Sequence, residues 1–347
     1  MRAVLPFEEP LAYAYQFYAF PLGILATHPK ASDWVLSNYV QVVYEYTGQS
    51  APVPFAFYVY DYSVSPWLET LRLNREWWSM SGMDITRTVR EAIGSGFYVY
   101  LTLNERHVPG RWAHGGERDF RHDVLIRGFD DEQGTFELYG YDDRYKFRGT
   151  RLPQADLARA YHDTGPGAFY DVPFTLYRYH DAGEYTFDLG YVARGVREYL
   201  DSFNTSTHFQ AQRDPWDRAY GVATYDLLES YLDGYARGEE RYDIRNVQVL
   251  WEHKRVMVAR FRRCAEPVPE VDDLIAPYEA VERMAWMLRM RMIAHRAGSY
   301  PTDFRADALS LVDRIRSAER PLLENFARLL EEAPVSAVGQ DAPTSST

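Results

Sequence analysis

Cysteine is nearly missing from this chain of 347 residues, with Cys264 the only one. A single thiol excludes a disulfide framework and a thiolate zinc cluster, and leaves Cys264 as the sole candidate for a catalytic thiol. Arg260, Arg262 and Arg263 lie just upstream, so its setting reads as a helix end. Lysine is almost as scarce, at Lys30, Lys146 and Lys254. Basic charge as a whole is short, 38 Lys+Arg against 50 Asp+Glu for a net −12. That argues against a nucleic-acid partner, whose first sign is a basic face. No apolar run approaches the roughly 20 residues that cross a bilayer. The acidic pair Glu8-Glu9 stands where a secretory signal would be apolar. A cytoplasmic protein without membrane association is the expectation. Phosphate loops, dinucleotide fingerprints and zinc-hydrolase helices are also missing, since Gly94-x-Gly96 lacks a third glycine and precedes a strand. No cofactor and no metal are therefore expected.

What the chain does have is apolar substance and tyrosine. Apolar residues make up 46% of it, enough for a sizeable core. Nine of its 28 tyrosines fall before position 63, and tyrosine suits half-buried walls as well as cores. The first 180 residues read as mixed structure. Pro52–Tyr62 is a short aromatic strand, and Ser32–Tyr46 a helix. Asp84–Ile93 is a helix capped by Asp84, with Ile85, Val89 and Ile93 on one face. Phe97–Leu103, His122–Phe129 and Thr135–Tyr141 are strands, the last two joined as a hairpin through Asp130–Gly134. A helix at Gln154–Tyr161 and a strand at Phe169–Tyr179 follow. Beyond about Asp188 the pattern is helical, over Leu189–Phe203, Ala219–Leu232, Ile244–Arg263, Asp272–Arg296 and Phe304–Glu332. The expected organisation is α+β: an antiparallel-sheet domain over 1–180, an all-helical domain over 181–332, and a disordered tail over 333–347.

The hairpin carries the chemistry. In an antiparallel pair the start of one strand lies beside the end of the next. His122 opens the first strand and Asp142 follows the second, so imidazole and carboxylate are expected at the same sheet end. A carboxylate on one ring nitrogen raises the basicity of the other, which makes a base-and-orienter pair for acyl transfer. Asp123 adjoins it. Asn104 and Glu105 end the neighbouring strand and are expected to support the pair.

The segment FRHDVLIRGFDDEQGTFELYGYDD (Phe120–Asp143) resembles the histidine-to-aspartate hairpin of papain-like bacterial domains. These include bacteriocin-leader cysteine peptidases and acyltransferases of the butirosin biosynthesis H type. The resemblance covers about 25 residues as a motif and 1–180 as a fold. It implies a papain-like domain that moves an acyl group from a carrier-protein thioester onto an amine in natural-product assembly. An acyl or peptidyl carrier protein and an amine or acyl small molecule would then be the partners. Asp243–Phe261 likewise resembles proteins encoded beside peptide and polyketide synthesis genes. The family's nucleophile is a cysteine heading an N-terminal helix, and no cysteine precedes position 264. Ser32 or Ser37, at the start of the expected helix, would have to replace it, although serine there is ordinarily a cap. Two readings stay open. One is amide formation by a histidine base without a covalent intermediate; the other is a catalytically inactive domain that docks a synthetase or carrier protein.

Other residues have plainer readings. His107 and His114 share a glycine-rich loop with His122, at spacings that match no zinc template, so solvated histidines or a lid over the site are expected. Tyr141 ends its strand beside the site. Lys254 falls on the apolar stripe of its helix and must snorkel or meet a carboxylate. A buried ion pair is the plainer outcome; a cleft-facing binding role for Lys254 and His253 is the alternative.

Overall fold

A computed structural model describes residues 1–59, 64–163, 174–209, 216–301 and 303–333. The elements begin β1 (Arg2–Val4), α1 (Gln16–Leu25), α2 (Ser32–Asn38), β2 (Val42–Tyr44), β3 (Phe55–Phe57) and β4 (Leu68–Leu73). They continue α3 (Arg75–Met80), α4 (Ile85–Gly94), β5 (Tyr98–Asn104), β6 (Arg121–Asp130), β7 (Thr135–Tyr141), β8 (Phe147–Pro153), α5 (Gln154–His162) and β9 (Phe174–Tyr179). The remainder is α6 (Leu189–Leu200), β10 (Ala219–Tyr220), α7 (Thr224–Ala236), α8 (Arg245–Ala265), α9 (Asp272–Arg296) and α10 (Phe304–Glu332). The described residues are thus mixed, with antiparallel sheet and about ten helices. No helix among the described residues is long and apolar enough to cross a membrane.

Two compact units emerge, and they do not follow sequence order. The first is Met1–Tyr39 with Tyr58–Phe187; the second joins Val40–Phe57 to the chain from Asp188 onward. The inserted segment corrects two expectations. Ser32–Tyr46 is not one helix: α2 stops at Asn38, and Val42, Val43 and Tyr44 form β2. These β-branched and aromatic residues are fully buried in a three-stranded sheet, β10-β2-β3, where cross-strand packing decides their conformation. The second unit is therefore not all-helical. Residues 60–62 of the strand expected over Pro52–Tyr62, 169–173 of that expected over Phe169–Tyr179, and the expected tail from 334 lie outside the described residues.

In the first unit the sheet order is β4-β9-β5-β6-β7-β8, with β1 pairing β6 beyond the end of β5. Alternation along the strands sorts residues between two faces. Val99, Leu101, Leu103, Val124 and Ile126 pack with Ile85, Val89 and Ile93 of α4 and Leu157 of α5. Tyr100 instead meets Phe20 of α1 edge-on, with ring centroids 5.3 Å apart. Helix α4 is built as its sequence predicts, the Asp84 carboxylate accepting from Arg87 N at 2.7 Å. Gly128 admits β1, because a Cβ there would lie 2.9 Å from the Ala3 carbonyl.

In the second unit, five helices meet at one buried carboxylate. Glu319 of α10 accepts through Oε1 from Tyr199 Oη of α6 at 2.8 Å and Tyr225 Oη of α7 at 2.7 Å. Its Oε2 accepts from Lys254 Nζ of α8 at 2.6 Å and Tyr278 Oη of α9 at 3.1 Å. Lys254 places its other two protons on Tyr199 Oη and His253 Nδ1, each at 3.1 Å. His253 Nε2 donates to Val40 O at 2.9 Å, which fixes the neutral ring with Nδ1 as acceptor. Burial, with the adjacent lysine charge, holds the His253 pKa well below its ordinary value. The two side chains of the ion pair are 0% exposed, and every donor and acceptor of the pair is used. Lys254 is the buried ion-pair member that its position on the stripe called for.

Candidate functional site

The site lies in the first unit, where the loop between β5 and β6 turns back on itself. Asn104, fully buried at the end of β5, closes both ends of that loop. Its Oδ1 accepts from Arg106 N and Phe120 N, each at 3.2 Å. Its Nδ2 donates to Asp119 Oδ1 at 2.9 Å and Asp163 O at 2.8 Å. Glu105 N donates to Phe120 O at 2.7 Å. Glu105 is thereby delivered, buried, to the imidazole of His122.

His122 Nδ1 donates to Glu105 Oε1 at 3.0 Å. A third of the His122 side chain is exposed, while Glu105 is almost wholly covered. Nε2 stands 3.7 Å from Asp123 Oδ1, close enough for charge and too far for a hydrogen bond. Burial of the ring lowers its pKa, but the Glu105 hydrogen bond and the charges of Asp123 and Glu105 outweigh burial and the opposing Arg111, so the net shift is upward.

The expected orienter is corrected. Asp142 does not serve His122; it organises the turn from β7 to β8. Its Oδ1 accepts from Arg144 N and Lys146 N, both at 2.8 Å, and the Arg148 guanidinium lies against Oδ2. Burial opposes its ionisation, but these donors pull its pKa below the ordinary value. Continued outward, the Leu125–Tyr139 register would set Asp123 opposite Tyr141 and His122 opposite Asp142. The ladder stops short because a side chain fills it. Gln16, at the first turn of α1, donates through Nε2 to Asp123 O at 2.6 Å and Asp123 Oδ1 at 2.8 Å, and accepts from Tyr141 N at 3.1 Å.

Asp123 is the second acid of the site. Besides Gln16 it accepts from Tyr100 Oη at 2.8 Å; burial, reinforced by the Asp123 charge, drives the Tyr100 phenol well above its usual pKa. Arg111, only 2% exposed, donates to Tyr141 O. Burial lowers its pKa, against the charges of Glu105, Asp123 and Asp142. Gly140 has φ +149°, and a Cβ there would fall 2.4 Å from Gln16 Oε1.

The remaining candidates fall elsewhere. His107 donates to Asp163 Oδ2 at 2.5 Å. Tyr141 contributes its backbone to Gln16 and Arg111 and its hydroxyl to Tyr13 O. Ser37 is buried in α2 and donates to Asp33 O at 2.8 Å, a bond within its own helix. Lys254 and His253 are sealed in the core of the second unit, which leaves no surface of either for a ligand. Cys264 is buried in that unit as well. Among the described residues no group of three or more His, Cys, Asp or Glu is arranged to hold a metal ion.

Gln16, Tyr100 and Arg111 were not singled out by the sequence. Gln16 opens an aromatic helix with no capping signal, and Arg111 sits in a loop that reads as solvated. No protein-family model matches the chain, and no curated protein is significantly similar to it in sequence.

Proposed function

We propose that the first unit is a papain-like acyl-transfer module of bacterial peptide or polyketide biosynthesis. In this reading His122 is the general base for an amine that attacks a carrier-protein-bound thioester. The observation that carries the reading is the His122 Nδ1 to Glu105 Oε1 hydrogen bond of 3.0 Å, made by a buried carboxylate to a partly exposed ring. The amine nitrogen bonds to the thioester carbon and its proton passes to His122 Nε2. The carbon–sulfur bond then breaks, and the imidazolium returns that proton to the leaving sulfur. Glu105 holds the ring orientation and stabilises its charged form throughout. Holding the two reactants together supplies several kcal/mol, and a positioned base adds roughly 10²–10⁴-fold.

The test is release of free thiol from phenylacetyl-N-acetylcysteamine in the presence of hydroxylamine. Wild type should exceed His122→Ala by about 100-fold or more. Equal rates in the two proteins would end the mechanism.

A second reading is supported by Gln16. The gap between β6 and β7 beside Asp123 is filled by the Gln16 amide from the first turn of α1, committed at both ends, instead of by a nucleophile. A domain of this kind would dock a synthetase or carrier protein without turnover. It would bind a carrier protein equally well with and without His122→Ala.

A further inference from the structure

We propose that Trp112 and Phe120 form an acyl-binding wall beside His122, selecting thioesters whose acyl group is aromatic or bulky and apolar. The inference rests on the acyl-transfer reading of His122 and extends it to a substrate class. Trp112 is 53% exposed and Phe120 39% exposed, and the loop residues between His114 and Asp119 are exposed with them. The three rings form a continuous run: Phe120 lies 5.5 Å from the imidazole of His122, centroid to centroid, and Trp112 meets Phe120 edge-on at 5.4 Å.

Exposure of two large aromatics is costly unless something covers them, and this pair is held in place. Trp112 stands between Arg111 and Ala113, both buried. The loop backbone is fixed by His114 N to Arg111 O at 3.1 Å and Gly115 N to Arg106 O at 3.1 Å. Phe120 is fixed by its own backbone through Asn104 and Glu105. An acyl group held against the imidazole of His122 has the Phe120 ring as its neighbour, and Trp112 beyond it. Two ring-to-ring steps carry that wall further than the methyl of an acetyl group reaches, whereas an aryl group spans onto Phe120 and Trp112. Aromatic contacts of this size separate a fitting acyl group from a small one by about 10- to 100-fold.

The test uses the full chain and two probes, phenylacetyl- and acetyl-N-acetylcysteamine. Binding is measured by calorimetry and turnover by thiol release. Wild type and His122→Ala should bind the phenylacetyl thioester at least about 10-fold more tightly than the acetyl one. Trp112→Ala should reduce that preference to about 3-fold or less. Phe120→Leu gives a milder second variant, and thermal unfolding of each variant checks that it folds. A preference without thiol release from either probe removes the catalytic reading and leaves the acyl wall standing. His122-dependent release without a preference does the reverse. The wall is overturned if wild type binds neither thioester, shows no preference, or keeps its preference in Trp112→Ala.

Discussion

Gln16 bridges Asp123 and Tyr141 as a length of strand would, its amide nitrogen on the carbonyl of one and its amide oxygen on the N–H of the other. A side-chain amide has the same donor and acceptor as a peptide unit, so it completes both strands where the ladder between them has stopped. Gln16→Ala leaves the Asp123 carbonyl and carboxylate and the Tyr141 N–H without these bonds. It should destabilise the protein by about 2–4 kcal/mol in urea unfolding, since each buried group left unsatisfied costs about 1–3 kcal/mol. A loss under about 0.5 kcal/mol would mean that water replaces the amide.

Gly140→Ala probes the same wedge from the other side. At φ +149° a side chain is strained, and the new Cβ would press on Gln16 Oε1 and on Arg111 Nη1, 2.9 Å away. We expect about 2 kcal/mol or more of destabilisation. A neutral effect on the urea midpoint would show that β7 shifts freely at this point.

The His122 imidazole should titrate above 6.5, followed by NMR of its ring protons. A base whose folded pKa is raised contributes stability that is fully present below about pH 6.5 and is lost as pH rises through the folded value. As a catalyst it works in the opposite sense, because only the neutral ring accepts a proton. Thiol release should therefore climb as pH passes through the His122 pKa. Glu105→Gln removes the hydrogen-bonded charge and should move both the NMR titration and the activity rise to lower pH. Asp142→Asn should loosen the β7–β8 turn and leave the ring titration close to that of wild type. If Asp142→Asn moved the titration as far as Glu105→Gln, the assignment of the orienter would be wrong.

Lys254→Met strands the Glu319 carboxylate in the core with three tyrosine hydroxyls and no counter-charge. Breaking a buried pair in this way typically costs about 3–5 kcal/mol. The double substitution Lys254→Met with Glu319→Leu should cost clearly less than the two single changes together, as measured by denaturant unfolding. Strict additivity would show that the two groups do not interact.

Asn104→Ala tests how the site is positioned. Both ends of the β5–β6 loop lose their anchor, so Glu105 and Phe120 should loosen together. The His122 pKa should fall toward its ordinary value, in the same direction as in Glu105→Gln. An unchanged titration would show that Glu105 is held by its backbone bond to Phe120 alone.

Short-range patterns already determine much of this molecule. The cap and spacing of Asp84–Ile93 specify α4, and the alternation and turn of 122–141 specify the β6–β7 hairpin. The stripes of 272–296 and 304–332 are α9 and α10 with the same bounds. Lys254 on an apolar stripe already demanded a carboxylate. These features depend on residues within a few turns of one another, where propensity and periodicity act. Tertiary structure alone decided which carboxylate met each base. Register pointed His122 to Asp142, but Gln16, 107 residues before Asp123, stands in the gap, and Glu105 comes in along the next strand. Glu319 reaches Lys254 across 65 residues, and the tyrosines around it carry no mark in the sequence that separates them from the others. Val40–Phe57 joins the second unit by pairing with β10, a contact no local pattern encodes. Buried polar groups take the donor or acceptor that packing brings to them, and packing is settled only when distant segments meet.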